Sequence, residues 1–543
     1  MNRACIYLMT FGAMIFWLPM ISDPYMTPRL LLVAIGASAL LAMKSERRSS
    51  LEGPVLTLLA AAIVSSVFAQ DKFYAVVGSY QFGMDSLIAF ACYFFVLAAS
   101  ARAEGGVDDI TRTIVIASIP MSMYGIFQRF FKDPLIWRDL HGGTRVASTQ
   151  GGPIFLGAVL AVVVVCCAHF VKKGDRLARV ALALAALTIL FTQTRGAILA
   201  AIIGSTFITR WALVASIPAI FLVPRIYTSG LSDITRVEVW KTALRVFIDH
   251  PWTGYGPGNF YLAFRRYTNW DLVDIVGSVN YVQAHAHNDI LHVLATMGII
   301  GFVAYILLGY SVVRVALMHT ERKLLLGILA AYAVLSSFNP VTTSAFVLMA
   351  MIFGAASSKI TASAKRRASP ALASMIVTLF TGRLILADYH YVKGYDSKDD
   401  IATQAMEFQE AARLNPFEMF YTCRQIDSLM GLIPRMPVEQ RSHLALAGRD
   451  LAVMALRRHP MDSYAHELMG KQIIIGHMAG YRDVDPREAM NAFNRAQELA
   501  PTFEALMWRR LATANGLKDG EQIWRANQDI ATLRHTLLPG RRS

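Results

Sequence analysis

Residues 281–302 read YVQAHAHNDILHVLATMGIIGF and gather His285, His287, Asn288, Asp289 and His292 at the mouth of an apolar run. Imidazoles in such a place can take up or release a proton near neutral pH. The spacing predicts a helix that begins at Asn288, whose side chain would cap the first turn and leave His287 just outside it. The positive end of a helix dipole at a membrane surface disfavours imidazolium, which leaves His287 a neutral proton acceptor. His285 has two readings: it shapes an acceptor pocket or tunes His287, or it is a surface histidine. The HxH pair could also suggest a metal. A third and fourth ligand are lacking unless Asp289 and His292 turn back, and no HExxH or cysteine partner is near, so we expect no metal and no cofactor.

Two arginines complete the polar set. Arg195 stands in TQTRGA, residues 192–197, between two apolar runs. An arginine so close to hydrocarbon needs a partner or a polar cavity; it either snorkels to the outer surface or meets an anionic ligand. Alternation of the apolar spans sets it apart from the side where positive charge is favoured, which makes the anion the better explanation. Arg236, in DITRVEVW at 233–240, opens an amphipathic stretch that continues to His250 and Pro251. The adjoining GYGPGNF, 254–260, lacks the GK[ST] of a phosphate loop and is expected to be a tight turn with exposed backbone amides. Arg145, in GGTR, and the pair Arg265 and Arg266 are weaker candidates, as readily surface charges. Gly298 and Gly301 share GxxG spacing inside the helix after the histidines, which predicts close approach of a neighbouring helix.

The elements that must position these residues are membrane helices. Of 543 residues, 55% are hydrophobic and only 17% charged, too apolar for an ordinary soluble protein of this length. Candidate spans fall at 4–21, 30–43, 52–69, 86–100, 111–127, 153–171, 177–192, 195–209, 211–224, 289–312, 324–338, 341–356 and 371–388. The first is expected to be an uncleaved anchor, because it is long for a signal peptide and no small-x-small site occurs before Ile21. The net charge of +14 does not point to nucleic acid. Its clusters, Lys44/Arg47/Arg48, Lys172/Lys173/Arg176/Arg179, Arg314/Arg322/Lys323 and Lys359/Lys365/Arg366/Arg367, lie in short loops that alternating spans place together on the cytoplasmic side. Of the five cysteines only Cys423 reaches the exported part, which excludes a disulfide framework.

The exported face then receives loops 70–85, 128–152 and 225–288 and everything after about residue 389. The aromatic-rich loop 225–288 is too long for an idle connection and should fold back over the membrane face as short helices. In the tail, Phe408, Ala411, Leu414 and Pro416 are matched in spacing by Phe493, Ala496, Leu499 and Pro501, with a poorer copy at Ala452, Ala455 and Pro460. This resembles a degenerate tetratricopeptide repeat, the alternative being an ordinary helical bundle; either would bind or position a partner. The expected architecture is all-α: a polytopic transmembrane bundle of about 12–13 spans over 1–388, with its catalytic loop at 225–288, and a soluble helical-repeat domain over 389–543.

The segments TQTRGA, TRVEVW with HPWTGYGPGNF, and HAHNDILHVLATMGIIG together resemble the O-antigen ligase and O-antigen polymerase superfamily of bacterial membrane glycosyltransferases. The family pattern H-[NSQ]-x9-G-x2-[GTY] is met by His287, Asn288, Gly298 and Gly301, and its R-x3-L element falls on Arg236 with Trp240 where leucine is usual. The resemblance covers about 1–360, is specific over 190–302 and excludes the tail. It implies a polyprenyl-diphosphate-linked glycan donor and a glycan, lipid A-core or protein acceptor on the periplasmic face of the inner membrane. It also implies Arg195 and Arg236 on the donor diphosphate and His287 as the base of a metal-independent, inverting displacement. His285, Asn288, Arg145 and Arg265 would serve the acceptor or support the site, and the tail could recruit assembly proteins. Ligase and polymerase remain open alternatives. A transporter or flippase is disfavoured because acidic residues are almost confined to span ends, at Glu52, Asp85, Asp289 and Asp388. A non-catalytic scaffold acting through 390–543 is the other rival.

Overall fold

Leucine, alanine and methionine dominate the apolar runs, and a helix satisfies every backbone amide within its own segment. The computed structural model describes residues 2–78, 85–131, 133, 145–212, 214, 231–278, 281–340, 342–360, 369–478 and 485–537. Its first helices are α1 (Asn2–Met14), α2 (Met26–Ala42), α3 (Glu52–Val67), α4 (Lys72–Val77), α5 (Leu87–Ser100), α6 (Gly106–Phe130), α7 (Pro153–Lys172), α8 (Arg176–Thr192) and α9 (Arg195–Thr206). The long loop contributes α10 (Leu231–Asp249), α11 (Phe260–Tyr267) and α12 (Trp270–Val276), and the chain continues through α13 (Asp289–Met318), α14 (Arg322–Phe338), α15 (Thr343–Ala356) and α16 (Ser369–Asp396). The protein is an all-α membrane protein; α6, α7, α13 and α16 are long and apolar enough to cross a bilayer. Every expected span coincides with a helix except 211–224, which lies almost wholly outside the described residues. The first run ends early, at Met14. The chain then turns, and the Asp23 carboxylate accepts the amides of Met26 (3.0 Å) and Thr27 (2.9 Å) to start α2.

Among the described residues one short ladder departs from all-α. Residues Arg47–Ser49 (β1) and Ser358–Ile360 (β2) pair antiparallel, with Arg48 opposite Lys359, and so join two of the basic loops. Residues 365–367 lie outside the described residues. At the same end Arg102 donates to the carbonyls of Leu41 and Met43, and Lys173 bridges Asp108 and Glu321. The opposite end holds the histidines and the tail.

The tail helices are α17 (Ile401–Leu414), α18 (Met419–Leu432), α19 (Val438–Arg458), α20 (Ser463–Met478), α21 (Pro486–Leu499), α22 (Glu504–Leu517) and α23 (Gly520–Leu537). The matched residues Phe408 and Ala411, Ala452 and Ala455, and Phe493 and Ala496 fall on α17, α19 and α21, and all are buried. The expected boundary at 388/389 lies inside α16, which runs unbroken to Asp396. Nor is the tail detached. Met419, Ala455 and Ala465 share one core with Tyr74, Val239, Phe260 and Phe264 of the preceding loops. Asp71, which caps α4, also accepts from His459 Nδ1 at 2.6 Å in full burial.

The glycine expectation needs correction. Gly298 does not seat a neighbouring helix; it breaks α13, with φ 62° and ψ −162°, a conformation open essentially to glycine alone. The turn 251–256 docks against the break by its backbone. Tyr255 and Gly256 amides donate to the Ala295 and Thr296 carbonyls (both 2.9 Å), and the Ile299 amide donates to the Pro251 carbonyl (2.8 Å). The turn's amides are therefore engaged and buried, not exposed as expected. Gly301 makes room for Met297 of its own helix. The close helix crossing occurs instead where Gly204 of α9 meets Gly327 of α14: a Cβ on either would lie within 2.6 Å of the other's carbonyl oxygen.

A Cβ on Gly298 would fall 2.4 Å from the Trp252 carbonyl group. We expect Gly298→Ala to destabilise the fold by roughly 3 kcal/mol or more through backbone strain and this clash. A lowered melting temperature of the detergent-solubilised protein would show it, and an unchanged one would contradict it.

Candidate functional site

Helix α13 starts where the sequence says it should: Asn288 Oδ1 accepts the Leu291 amide at 3.1 Å. The residue before it, His287, takes a left-handed backbone at φ 56°, which folds the chain back so that three imidazoles converge. Hydrogen bonds assign their tautomers. The His287 amide donates to His285 Nδ1 (3.0 Å), so the His285 proton lies on Nε2, 3.5 Å from Asp289 Oδ1. The Ala286 amide donates to His292 Nδ1 (3.4 Å), and His292 Nε2 donates to Asp85 Oδ2 (2.8 Å). His285 and His292 stack with centroids 3.9 Å apart. Asp289 is held in turn by the Tyr332 hydroxyl (2.7 Å). His285 is thus a largely buried support for the His287 turn, and the surface-histidine alternative does not hold.

His287 differs from its neighbours. The Gln283 amide nitrogen donates to the Tyr281 hydroxyl, which leaves Gln283 Oε1 to accept from His287 Nε2 at 3.0 Å. Nδ1 then carries the free lone pair, and it is buried without a hydrogen-bond partner. Burial first, and the Arg236 guanidinium second, push this imidazole down to about 4. His285 is also held well below its ordinary value, again by burial first.

The two arginines meet at one carboxylate. Arg195, the first residue of α9, reaches Asp233 Oδ1 and Oδ2 at 2.8 and 2.9 Å; Arg236, one turn along α10, reaches Asp233 Oδ1 at 3.0 Å. Paired guanidiniums sharing one anion beside a neutral imidazole form a ready receptor for phosphate oxygens. Below the histidines a cavity of about 520 Å³ opens among α3, α5, α13, α14 and α15. Its walls are mostly apolar, including Leu58, Tyr305 and Phe346, and Asp85, His285, Asp289 and His292 form its polar end.

Residues 180–306, which hold all three converging segments, match the family model described as O-antigen ligase. This match supports a likeness to the O-antigen ligase/polymerase superfamily over that segment. No curated protein matches the chain. The O-antigen ligase family implies a glycosyltransferase-like membrane enzyme of surface polysaccharide assembly, with lipid-linked glycan and acceptor substrates in general. Where the family usually has leucine, the ring of Trp240 lies 6.5 Å from that of Phe338.

Two of the weaker candidates lie outside the histidine cluster. Arg145 clamps the turn before α9, donating to the Thr192 carbonyl (2.9 Å) and Thr194 Oγ1 (3.1 Å), so it supports Arg195 from behind. Arg265 turns away from the histidines into the tail, its guanidinium 4.4 Å from the Tyr464 ring and 4.9 Å from that of Phe503. In this position Arg265 pins the loop to the tail. Sequence inspection missed Asp85, Asp233, Gln283 and Tyr332. Only Asp233 left a trace, three residues before Arg236 on the same helix face.

The depressed His287 makes a signed prediction. In the unfolded chain its imidazole titrates near 6.5, so between about 4 and 6.5 the unfolded state binds more protons. The stability from neutral His287 is complete above about pH 6.5 and is lost as pH falls through about 4. Melting temperature should therefore fall more steeply with acidification in the native protein than in His287→Gln, and parallel curves would refute the assignment.

Proposed function

We propose that the chain transfers a glycan from a polyprenyl-diphosphate carrier to an acceptor on the exported face of a bacterial inner membrane, as a glycosyltransferase of O-antigen ligase or polymerase type. One observation carries this reading: Arg195 and Arg236 converge on Asp233 beside a buried imidazole with a free Nδ1. Exposed ion pairs contribute only about 0–1 kcal/mol, so a diphosphate, with more charge and more acceptor oxygens, readily displaces the Asp233 carboxylate. Isoprenoid units of the carrier suit the apolar cavity, which brings the sugar–phosphate bond to the histidine turn.

The acceptor hydroxyl oxygen attacks the anomeric carbon from the face opposite the diphosphate, and the bond from carbon to the diphosphate oxygen breaks. That oxygen keeps the electron pair, and the two guanidiniums stabilise its growing charge. The hydroxyl proton passes to His287 Nδ1. Arg236 is one cause of the imidazole's low basicity, so a bound diphosphate that neutralises Arg236 makes His287 a better base. No metal or nucleotide enters this scheme.

Sidedness follows from charge. The end of the molecule that gathers Arg48, Lys173 and Lys359 takes the cytoplasm by the positive-inside rule, which leaves the histidines outside. The shorter apolar helices then complete about 12–13 spans, several of them tilted. The tail, joined to the site loop through a common core, positions that loop and presents a surface to acceptor or assembly proteins.

We expect His287→Ala to lower transfer by at least about 100-fold while the protein still inserts and still binds lipid-linked donor; undiminished transfer would remove the proposed base. Asp233→Asn removes the internal anion and should lower the KM for the diphosphate donor several-fold with little change in kcat. An unchanged or raised KM would show that Asp233 does not compete for the arginines.

A further inference from the structure

At the end of the molecule opposite the histidines, three elements far apart in sequence meet around one small cluster. Asp108 lies in the first turn of α6, His169 in the last turn of α7, and Glu321 immediately before α14. Their ligand atoms all lie within 4.8 Å of one another. His169 Nε2 is 3.9 Å from Asp108 Oδ1 and 3.6 Å from Glu321 Oε2. Both separations exceed hydrogen-bond length, and this nitrogen, on a side chain only 9% exposed, has no hydrogen-bond partner. A buried ring nitrogen aimed between two carboxylates and bonded to neither calls for an explanation.

Lys173 supplies part of one. Its ammonium lies 3.2 Å from Asp108 Oδ2 and 2.9 Å from Glu321 Oε1, one positive charge against two carboxylates. It makes no hydrogen bond to His169 Nε2, which stays without a partner beside it. Lys173 has room to swing away: it is 42% exposed, lies just past the end of α7 and precedes Gly174 at φ 90°. Its exposed ion pairs contribute only about 0–1 kcal/mol.

We propose that Asp108, His169 and Glu321 form a binding site for a divalent transition cation of the zinc type, with Lys173 as its internal competitor. One imidazole nitrogen and two carboxylate oxygens make a three-residue ligand set that water completes. The imidazole favours zinc over magnesium or calcium, which prefer all-oxygen shells. Ligand bonds of about 2.0–2.2 Å in a tetrahedron set neighbouring ligand atoms roughly 3.3–3.6 Å apart, so His169 needs shifts of a few tenths of an ångström at most, and the two carboxylates draw together from within 4.8 Å once Lys173 swings out. The bound ion would tie together the ends of α6, α7 and α14. The other ends of α7 and α14 frame the Arg195 turn and the cavity.

The test uses full-length protein purified without a polyhistidine tag, equilibrated with zinc chloride, desalted and analysed for metal, with zinc affinity measured by competition against a chelating dye. Stoichiometric zinc is expected in the native protein and its loss in His169→Ala; Asp108→Asn, an exposed position, serves if His169→Ala does not fold. Lys173→Ala should bind zinc at least about threefold more tightly, the gain expected from removing a competing ion pair. Zinc should raise the melting temperature where equimolar magnesium does not. Zinc content unchanged by both ligand variants, affinity unchanged in Lys173→Ala, or equal stabilisation by magnesium would each overturn the proposal.

Discussion

The site depends on one constraint, the satisfaction of backbone polar groups where α13 breaks at Gly298. A helix interrupted among apolar side chains frees carbonyls on one side of the break and amides on the other, and hydrocarbon offers them no partner. Here the turn 251–256 supplies both. It gives its amides to Ala295 and Thr296 and its carbonyls to Ile299 and Ile300, and Ser65 of α3 adds a hydroxyl to the Thr296 carbonyl at 3.0 Å. The break and the turn are therefore one structure. Because α10 leads into that turn and α11 leaves it, docking fixes Arg236 relative to the start of α13, where His287 lies. A hydrophobic contact would hold these elements together with less registration, since apolar packing has no direction.

Charge at the site is arranged so that each group is compensated before any substrate arrives. Asp233 accepts from both arginines, Asp85 orients His292, and Tyr332 holds Asp289, which faces His285. His287 Nδ1 is left over, a buried acceptor with no donor. Its neutrality follows from burial, reinforced by Arg236, so the feature that attracts an anion also keeps the imidazole unprotonated. An anion that neutralises the guanidinium removes the Arg236 contribution and leaves burial as the chief restraint on the imidazole. A lysine in place of Arg236 would offer charge without the planar fork that lets two donors share one anion.

What the sequence shows of this site, and what it hides, depends on the range of each interaction. The cap at Asn288 is local: the side chain reaches three residues along, so the helix start is visible in HND. The two arginines are visible because charge beside an apolar run is costly wherever the chain goes. Asp85 lies 207 residues from His292, and no pattern along the chain can announce that pairing. The GxxG spacing misleads for a different reason. Spacing describes which face a residue would occupy if the helix continued, whereas Gly298 is there because the helix stops. Gly204 and Gly327, the pair that does bring two helices into backbone contact, are single glycines in separate segments and share no motif. The same holds for Arg265, whose aromatic partners Tyr464 and Phe503 come from the tail.

The tail bears on the site through chemistry that resists separation. His459 and Asp71 are almost fully buried together, and removing either partner would strand a polar group in the interior at considerable cost. Asp71 also caps α4 with its other oxygen, which accepts the amides of Phe73 and Tyr74 at 3.0 Å. One carboxylate thus fixes both the start of α4 and the turn between α19 and α20. From there Tyr74 reaches Asp462 at 3.3 Å, and Arg265 reaches the rings of α20 and of the turn before α22. A tail linked only by a flexible tether could add a binding surface while leaving the loop geometry untouched. A tail that shares hydrogen bonds, cation–π contacts and a core with that loop shifts the loop whenever its own packing changes, so the length and order of the tail helices are part of what holds the loop in place.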